Sequence, residues 1–302
     1  RNYNAIIWES IDMQKVGLIK GDNRRANIRK SLELLSDEIK NDLKTRRVII
    51  KPNFVSTSRH LAASHVDQIR GILDFLKGFY QDKVIIAEAA SGDTMEGYKN
   101  FGYLSLQKEY NVDLIDLNKG PFEQLPILDK KNRTVHIRVS SLLCDRSNFI
   151  ISAAKLKTHD TVVVTLSVKN MAMGCILYED KVLVHQGMKH TNINIAELAG
   201  SVWPDLAVID GFTGMEGQGP IFGRPVDVGV AVSSTDPLAA DRVACEIMGI
   251  DFAAVGYLSY CSEMGLGVAD LNRIEIIGHP LRECIRPFTL HSTVQEQYKW
   301  KE

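Results

Sequence analysis

Charge of one sign is missing from this sequence: 36 Lys plus Arg nearly cancel 37 Asp plus Glu, leaving a formal net charge of −1 over 302 residues. No global field draws such a chain to a polyphosphate, and a nucleic-acid partner is not expected. Long hydrophobic runs are missing too. No apolar stretch approaches the ~18 residues of a membrane-spanning helix, and the N-terminus lacks the apolar core of an export signal. No membrane partner is therefore expected, and the cytoplasm is the expected location. Cysteine is scarce and scattered: Cys144, Cys175, Cys245, Cys261 and Cys284 make an odd number with no C-x-x-C pair, which excludes a disulfide framework and offers no thiolate metal site. What is there, 45% hydrophobic residues with 22 glycines and 7% aromatics, is the make-up of a folded globular chain rather than a disordered or collagen-like one.

At ~150 residues per domain the length suggests roughly two domains, although a large α/β unit of this size can be one domain with a cleft. The apolar runs point to α/β. Val48-Ile49-Ile50, Val84-Ile85-Ile86-Ala87, Phe149-Ile150-Ile151-Ser152, Thr161 to Val168, Leu206-Ala207-Val208-Ile209, Val228 to Ser233 and Ile274-Glu275-Ile276-Ile277 are short and largely β-branched. Strands buried on both faces of a parallel sheet look like this. Val66 to Phe79 carries the apolar stripe of an amphipathic helix, and Thr94 to Tyr110 reads as helical. Thr235 or Asp236 caps a helix with Pro237 at its first position, and Gly249 closes it. The expected fold is a single α/β domain over residues 1–302, a mostly parallel sheet with helices on both faces. If it has two lobes around a cleft, the turn-rich stretch from Asn118 to Asn132 is their boundary. The polar tail from Glu283 onward receives no assignment.

In open sheets of this kind ligands bind beyond the carboxyl ends of the strands. Most polar clusters here follow directly on an apolar run: Lys51 and Asn53, Glu88 and Ser91, Lys155, Lys157 and His159, Lys169 and Asn170, and Asp210 with Glu216. They are expected to converge on one rim. In extended backbone Lys155, Lys157 and His159 point to the same side, and three such donors suit a carboxylate or phosphate; the bland alternative is a solvated strand edge. Pro52 restrains Lys51 toward extended geometry and so orients Lys51 and Asn53.

The stretch from Gly211 to Gly223 reads as a glycine-rich loop in which Gly217 and Gly219 let backbone approach an anion. It lacks the lysine and hydroxyl that end a Walker loop and the spacing of a dinucleotide fingerprint. Asp210 and Glu216 offer oxygen ligands for a divalent cation. His159, His185 and His190 are the candidates for proton transfer, since an imidazole titrates near neutrality; His60, His65, His136, His279 and His291 read as surface or packing residues. No Gly-x-Ser-x-Gly elbow and no cysteine-protease context is present.

Taken together, Val48-Ile49-Ile50-Lys51-Pro52-Asn53-Phe54, Lys155-Leu156-Lys157-Thr158-His159, Thr165-Leu166-Ser167-Val168-Lys169-Asn170 with Gly174, His185 or His190, Asp210-Gly211 through Met215-Glu216-Gly217-Gln218-Gly219-Pro220, and Asp236-Pro237 with Asp241 resemble the bacterial and archaeal domain-of-unknown-function family 362. The resemblance covers most of the chain and implies no general activity. Proteins of that family are often described as iron-sulfur proteins because ferredoxin-type cysteine runs accompany the domain. This chain departs from that pattern, and no iron-sulfur cluster is expected on it. A remote similarity to the amino-terminal part of lactate racemase-like proteins implies His and Lys residues serving a nickel-pincer cofactor and acid-base chemistry on a 2-hydroxy acid. Lys169 is the position that aligns.

The reading of the sequence is an enzyme for a small anionic metabolite. Lys51, Asn53, Glu88, Ser91, Lys155, Lys157, Asn170, Gly217 and Gly219 bind the substrate; His159, Lys169, His185 and His190 carry acid-base chemistry of an isomerase or racemase kind; Asp210 and Glu216 hold a divalent metal. A non-catalytic cofactor-binding or redox-accessory protein is the alternative, and a homo-oligomer is compatible with either.

Overall fold

The computed structural model describes residues 13–302. Its strands among those residues are β1 (Gln14–Lys20), β2 (Arg47–Lys51), β3 (Val84–Glu88), β4 (Val112–Asp116), β5 (Phe122–Leu128), β6 (Thr134–Ser140), β7 (Asn148–Thr158), β8 (Val164–Thr165), β9 (Leu206–Glu216), β10 (Arg224–Ser234) and β11 (Ile274–Gly278). One sheet runs β11-β1-β10-β9-β7-β2-β3-β4 with β8 alongside β7, and β5 and β6 form a separate hairpin. Pairing is parallel between β1 and β11 and throughout the run β9-β7-β2-β3-β4. It is antiparallel where β10 lies between β1 and β9, and at β8. The sheet is thus mostly parallel, as the apolar runs imply.

Alternation of side chains sends apolar residues to both faces. Ile49, Ile150 and Ile209 join one core with Val168, Ile195 and Val243 from the helices Ser167–Gly174, Gly187–Ser201 and Pro237–Met248. Val48, Ile50, Ile151 and Val208 join the other with Ile28, Ile39 and Ile72 from Arg24–Glu33, Ser36–Leu43 and Val66–Leu76. Burial on both sides is why these strands read as continuous apolar runs rather than alternating ones. Asp236 accepts from the Leu238 and Ala239 amides as an N-cap, and Gly249 ends that helix in the left-handed region at φ 66, a conformation that glycine adopts without a Cβ clash.

Three expectations are corrected. Thr161 to Val168 is not one strand: β8 has two residues, and a helix begins at Ser167, so Lys169 and Asn170 ride on its first turn. The glycine-rich stretch from Gly211 is not a loop to Gly223, because β9 continues to Glu216 and only the connection to Arg224 lies outside strands. The tail has structure, with Gln297 buried. The stretch near residues 118–132 is a short 3-10 turn, Leu117–Lys119, and the first strand of the hairpin. Ile127, Ile137 and Val139 of the hairpin lie in the core, and the Asn194 amide holds both backbone polar groups of Leu128 at 2.8 Å.

Candidate functional site

Beyond the carboxyl ends of β2, β3 and β7 lies a cavity of about 210 Å³. Its lining includes Lys51, Asn53, Glu88, Ser91, Lys157, His159, Lys169 and His185, with Asp160, Thr165, Lys181 and Pro220. Residues from four separate strand-end segments are thereby brought to one place.

A hydrogen-bond chain spans its floor. Lys51 Nζ donates to both Glu88 carboxylate oxygens at 3.1 and 3.0 Å, to Pro52 O at 2.7 Å and to Asn170 Oδ1 at 3.3 Å. Asn170 Oδ1 also accepts from Asn53 Nδ2 at 3.0 Å, and its own Nδ2 donates to Ser152 Oγ at 3.1 Å. Asn53 Oδ1 in turn accepts from Lys157 Nζ at 2.6 Å, whose second acceptor is Ala62 O at 2.8 Å. Lys51 and Glu88 are fully desolvated, at 0% and 2% side-chain exposure, so their charges need each other. Gly174 makes room for them: a Cβ there would overlap Lys51 Cε and Nζ.

The remaining cations are strained electrostatically. Burial pushes Lys157 well below the ordinary lysine value, and the charges of Lys169 and Lys155 add to this. Burial likewise lowers Lys169 to about 8, with Asp160 opposing and Lys181 assisting. Lys181, also lowered by burial to about 8, donates to Ala89 O at 2.6 Å. The Lys169 ammonium makes no hydrogen bond among the described residues. Thr165 Oγ1, another lining group, is buried and equally without a partner there.

The two imidazoles differ. The Thr161 amide donates to His159 Nδ1 at 3.1 Å, which puts the proton of the neutral ring on Nε2. Burial, then Lys169 and His185, hold His159 well below its usual pKa. The Asp160 carboxylate 3.1 Å from the same nitrogen is therefore not an ion pair, and it accepts from the Thr161 hydroxyl at 2.9 Å instead. The turn is clamped from the tail, where Gln297 Oε1 accepts from Val163 N at 2.5 Å and Gln297 Nε2 donates to His159 O at 3.0 Å. Val163 has φ 66, a conformation that costs a β-branched residue on the order of 1–3 kcal/mol. His185, also lowered chiefly by burial, has no side-chain hydrogen bond among the described residues.

Other expected site residues lie elsewhere. His190 is on the helix Gly187–Ser201 with Nε2 2.9 Å from Asn132 Oδ1, outside the cavity. Lys155 is buried beside its strand neighbour Asp210 and does not line the cavity. Asp210 and Glu216 do not share a cation. Asp210 Oδ2 lies 3.0 Å from Arg24 Nε, whereas Glu216 accepts from Arg224 Nε and the Thr289 amide, both at 2.8 Å. Among the described residues no three His, Cys, Asp or Glu side chains stand together as a metal site. Neither Gly217 nor Gly219 lines the cavity: Thr158 Oγ1 donates to Gly217 O at 3.0 Å, and a Cβ on Gly219 would overlap Thr158 O. Lys181 and Thr165 were not anticipated; Lys181 sits in an irregular 3-10 segment, Tyr178–Val184, and its proximity in sequence to His185 was the only signal.

Lys169→Met is expected to raise the melting temperature of the ligand-free protein. A lysine whose folded pKa lies below its unfolded value binds fewer protons folded than unfolded between about 8 and 10.5, so its cost is fully present below pH 8 and fades toward 10.5. The advantage of the variant in thermal melts should shrink across that window; a constant or growing difference would contradict the buried, unpaired ammonium.

The family defined as Domain of unknown function (DUF362) matches residues 48–246. The chain belongs to that family. It is 25% identical over 245 residues to a thylakoid-associated protein of Synechocystis sp., covering 79% of this chain and 74% of that one. Among solved structures, the lactate racemase apoprotein from Thermoanaerobacterium thermosaccharolyticum superposes with a TM-score of 0.50 at 12% identity, covering 79% of this chain. The chain spans 58% of that racemase's length. The likeness is one of fold, an α/β sheet flanked by helices. The described residues contain no helix long and apolar enough to cross a membrane.

Proposed function

We propose that this protein binds a small carboxylate-bearing anion in the lysine-rich cavity and moves a proton next to that carboxylate, in the manner of an isomerase or racemase. The observation that carries the reading is the convergence of four lysines on a cavity whose lining, among the described residues, has Glu88 and Asp160 as its carboxylates. Lys51 and Glu88 neutralise each other. Lys157, Lys169 and Lys181 are left, and an anion would relieve the burial that weakens each as a cation. The unpartnered Thr165 hydroxyl gives a ligand a further hydrogen bond. His159 supplies a fixed Nε2 donor, and His185 an imidazole free to take and return a proton. A cytoplasmic protein with a small-molecule partner and no iron-sulfur cluster completes the proposal; burial raises the thiols of Cys144, Cys175 and Cys261 to between about 11 and 12, away from the thiolate a cluster requires.

The test is thermal shift with sulfate, phosphate, acetate, lactate and pyruvate on wild type, Lys169→Ala and Lys181→Ala. Carboxylates are expected to raise the wild-type melting temperature. Each variant should bind roughly 10- to 100-fold more weakly, the loss of one hydrogen bond to a charged group. Absence of any shift in wild type, or shifts unchanged in both variants, would sink the proposal.

A further inference from the structure

Three of the four lysines lining the cavity are engaged by acceptors: Lys51 by Glu88, Lys157 by Asn53 and Ala62, and Lys181 by Ala89. Lys169 is different. It is only 7% exposed, it lines the cavity, and it has no hydrogen-bond acceptor among the described residues. Its backbone sits on the first turn of the helix Ser167–Gly174, whose first two amides are taken by Asp241. A largely buried amine with no acceptor and a second cation, Lys181, acting on it is the environment that makes a lysine nucleophilic, with Asp160 partly opposing. With a value near 8, roughly a tenth of it is neutral at pH 7.

We infer that Lys169 captures the carbonyl carbon of a small 2-keto acid or aldehyde acid as an imine, a step that rests on the reading of this cavity as a carboxylate site. The neutral Nζ lone pair forms the C–N bond while the carbonyl π pair moves onto oxygen. His185 takes a proton from the new ammonium and hands it to that oxygen, giving the neutral carbinolamine. A second proton, lent by solvent through His185, goes to the hydroxyl, which leaves as water as the nitrogen lone pair forms C=N, and the resulting iminium gives its N–H proton back to His185 and solvent. Amine plus carbonyl gives imine plus water, with no oxidation or reduction, and hydrolysis reverses it. Lys181 and the Nε2–H of His159 are the groups on hand for the carboxylate. The iminium formed on protonation draws electrons from the adjacent carbon and so makes its C–H more acidic, which is the kind of proton transfer proposed for the site.

The experiment incubates the protein with pyruvate and cyanoborohydride, which delivers hydride to the C=N bond, and maps the stable adduct by peptide mass spectrometry. One reduced adduct at Lys169 is expected, forming faster as pH rises through about 8. Lys169→Arg is expected to lose the adduct while its far-UV circular dichroism stays that of wild type. Adducts spread over surface lysines without preference for Lys169, or none at all, in a protein that still shifts with acetate would overturn the imine and leave the anion site standing. A protein that neither shifts with acetate nor forms the adduct would overturn both.

Discussion

Lys51→Met is expected to lower the melting temperature by roughly 10 °C, from a loss of about 3–5 kcal/mol, because it strips a buried carboxylate of its counter-charge. Glu88 would be left 2% exposed without its hydrogen-bonded cation; Lys181 acts on the same carboxylate but donates its hydrogen bond to Ala89 O. Pairing the change with Glu88→Gln should recover much of the loss, since a neutral amide can be hydrogen-bonded at far less desolvation cost. The same defect should arise without touching either charge: Gly174→Ala places a methyl where Lys51 Cε and Nζ lie. Calorimetric melts of the three single variants and the double variant measure the coupling. A Lys51→Met protein within about 1 kcal/mol of wild type would mean that the pair is open to solvent and that the floor of the cavity is not built as described.

Asp241→Ala is expected to cost on the order of 2–5 kcal/mol. Asp241 is buried, and its two oxygens accept from the Ser167 and Val168 amides at 2.8 and 2.9 Å, so it anchors the start of the helix that carries Lys169 and Asn170. Removing it strands two buried N–H groups at about 1–3 kcal/mol each. Burial raises its pKa to about 8 against those two hydrogen bonds, which pull the other way. A carboxyl whose folded pKa lies above its unfolded 3.8 gives its full stabilisation below the unfolded value and loses it as pH rises through the folded one. Wild type should therefore lose ground to Asp241→Asn, which does not titrate, between pH 4 and about 8. Denaturant melts across that range check the sign; a difference that grows in favour of wild type would show that the carboxylate is held ionised.

Much of this was legible in the sequence because parallel strands buried on both faces leave an uninterrupted apolar signature and hand their ligand groups to the residues just after it. Lys51, Asn53, Glu88, Ser91, Lys157 and His159 are such residues, and all line the cavity. The rule fails where the chain departs from it. Alternation makes Lys155 and Lys157 equivalent, yet the pairing of β7 with β9 is irregular between them, and of the two Lys157 reaches the cavity. Asp210 and Glu216 looked like ligands because their arginine partners, Arg24 and Arg224, cannot be found by spacing. Lys181 and the clamp by Gln297 come from irregular segments, where no periodicity announces which side chain turns inward.

The place of β1 in the sheet bears on how the chain can be made. Residues 14–20 hydrogen-bond to β10 on one side and β11 on the other, so this strand leaves the ribosome roughly 200 residues before either neighbour exists. The run from β2 to β7 can close through its own crossovers meanwhile, with β9 added soon after. Throughout that interval an apolar strand waits with both edges open, a template for pairing with another nascent chain. A polypeptide stopped before Arg224 would retain most of the lysine-bearing cavity walls, yet would keep that first strand unpaired. Its fate would be set by association with its own copies rather than by the quality of its core.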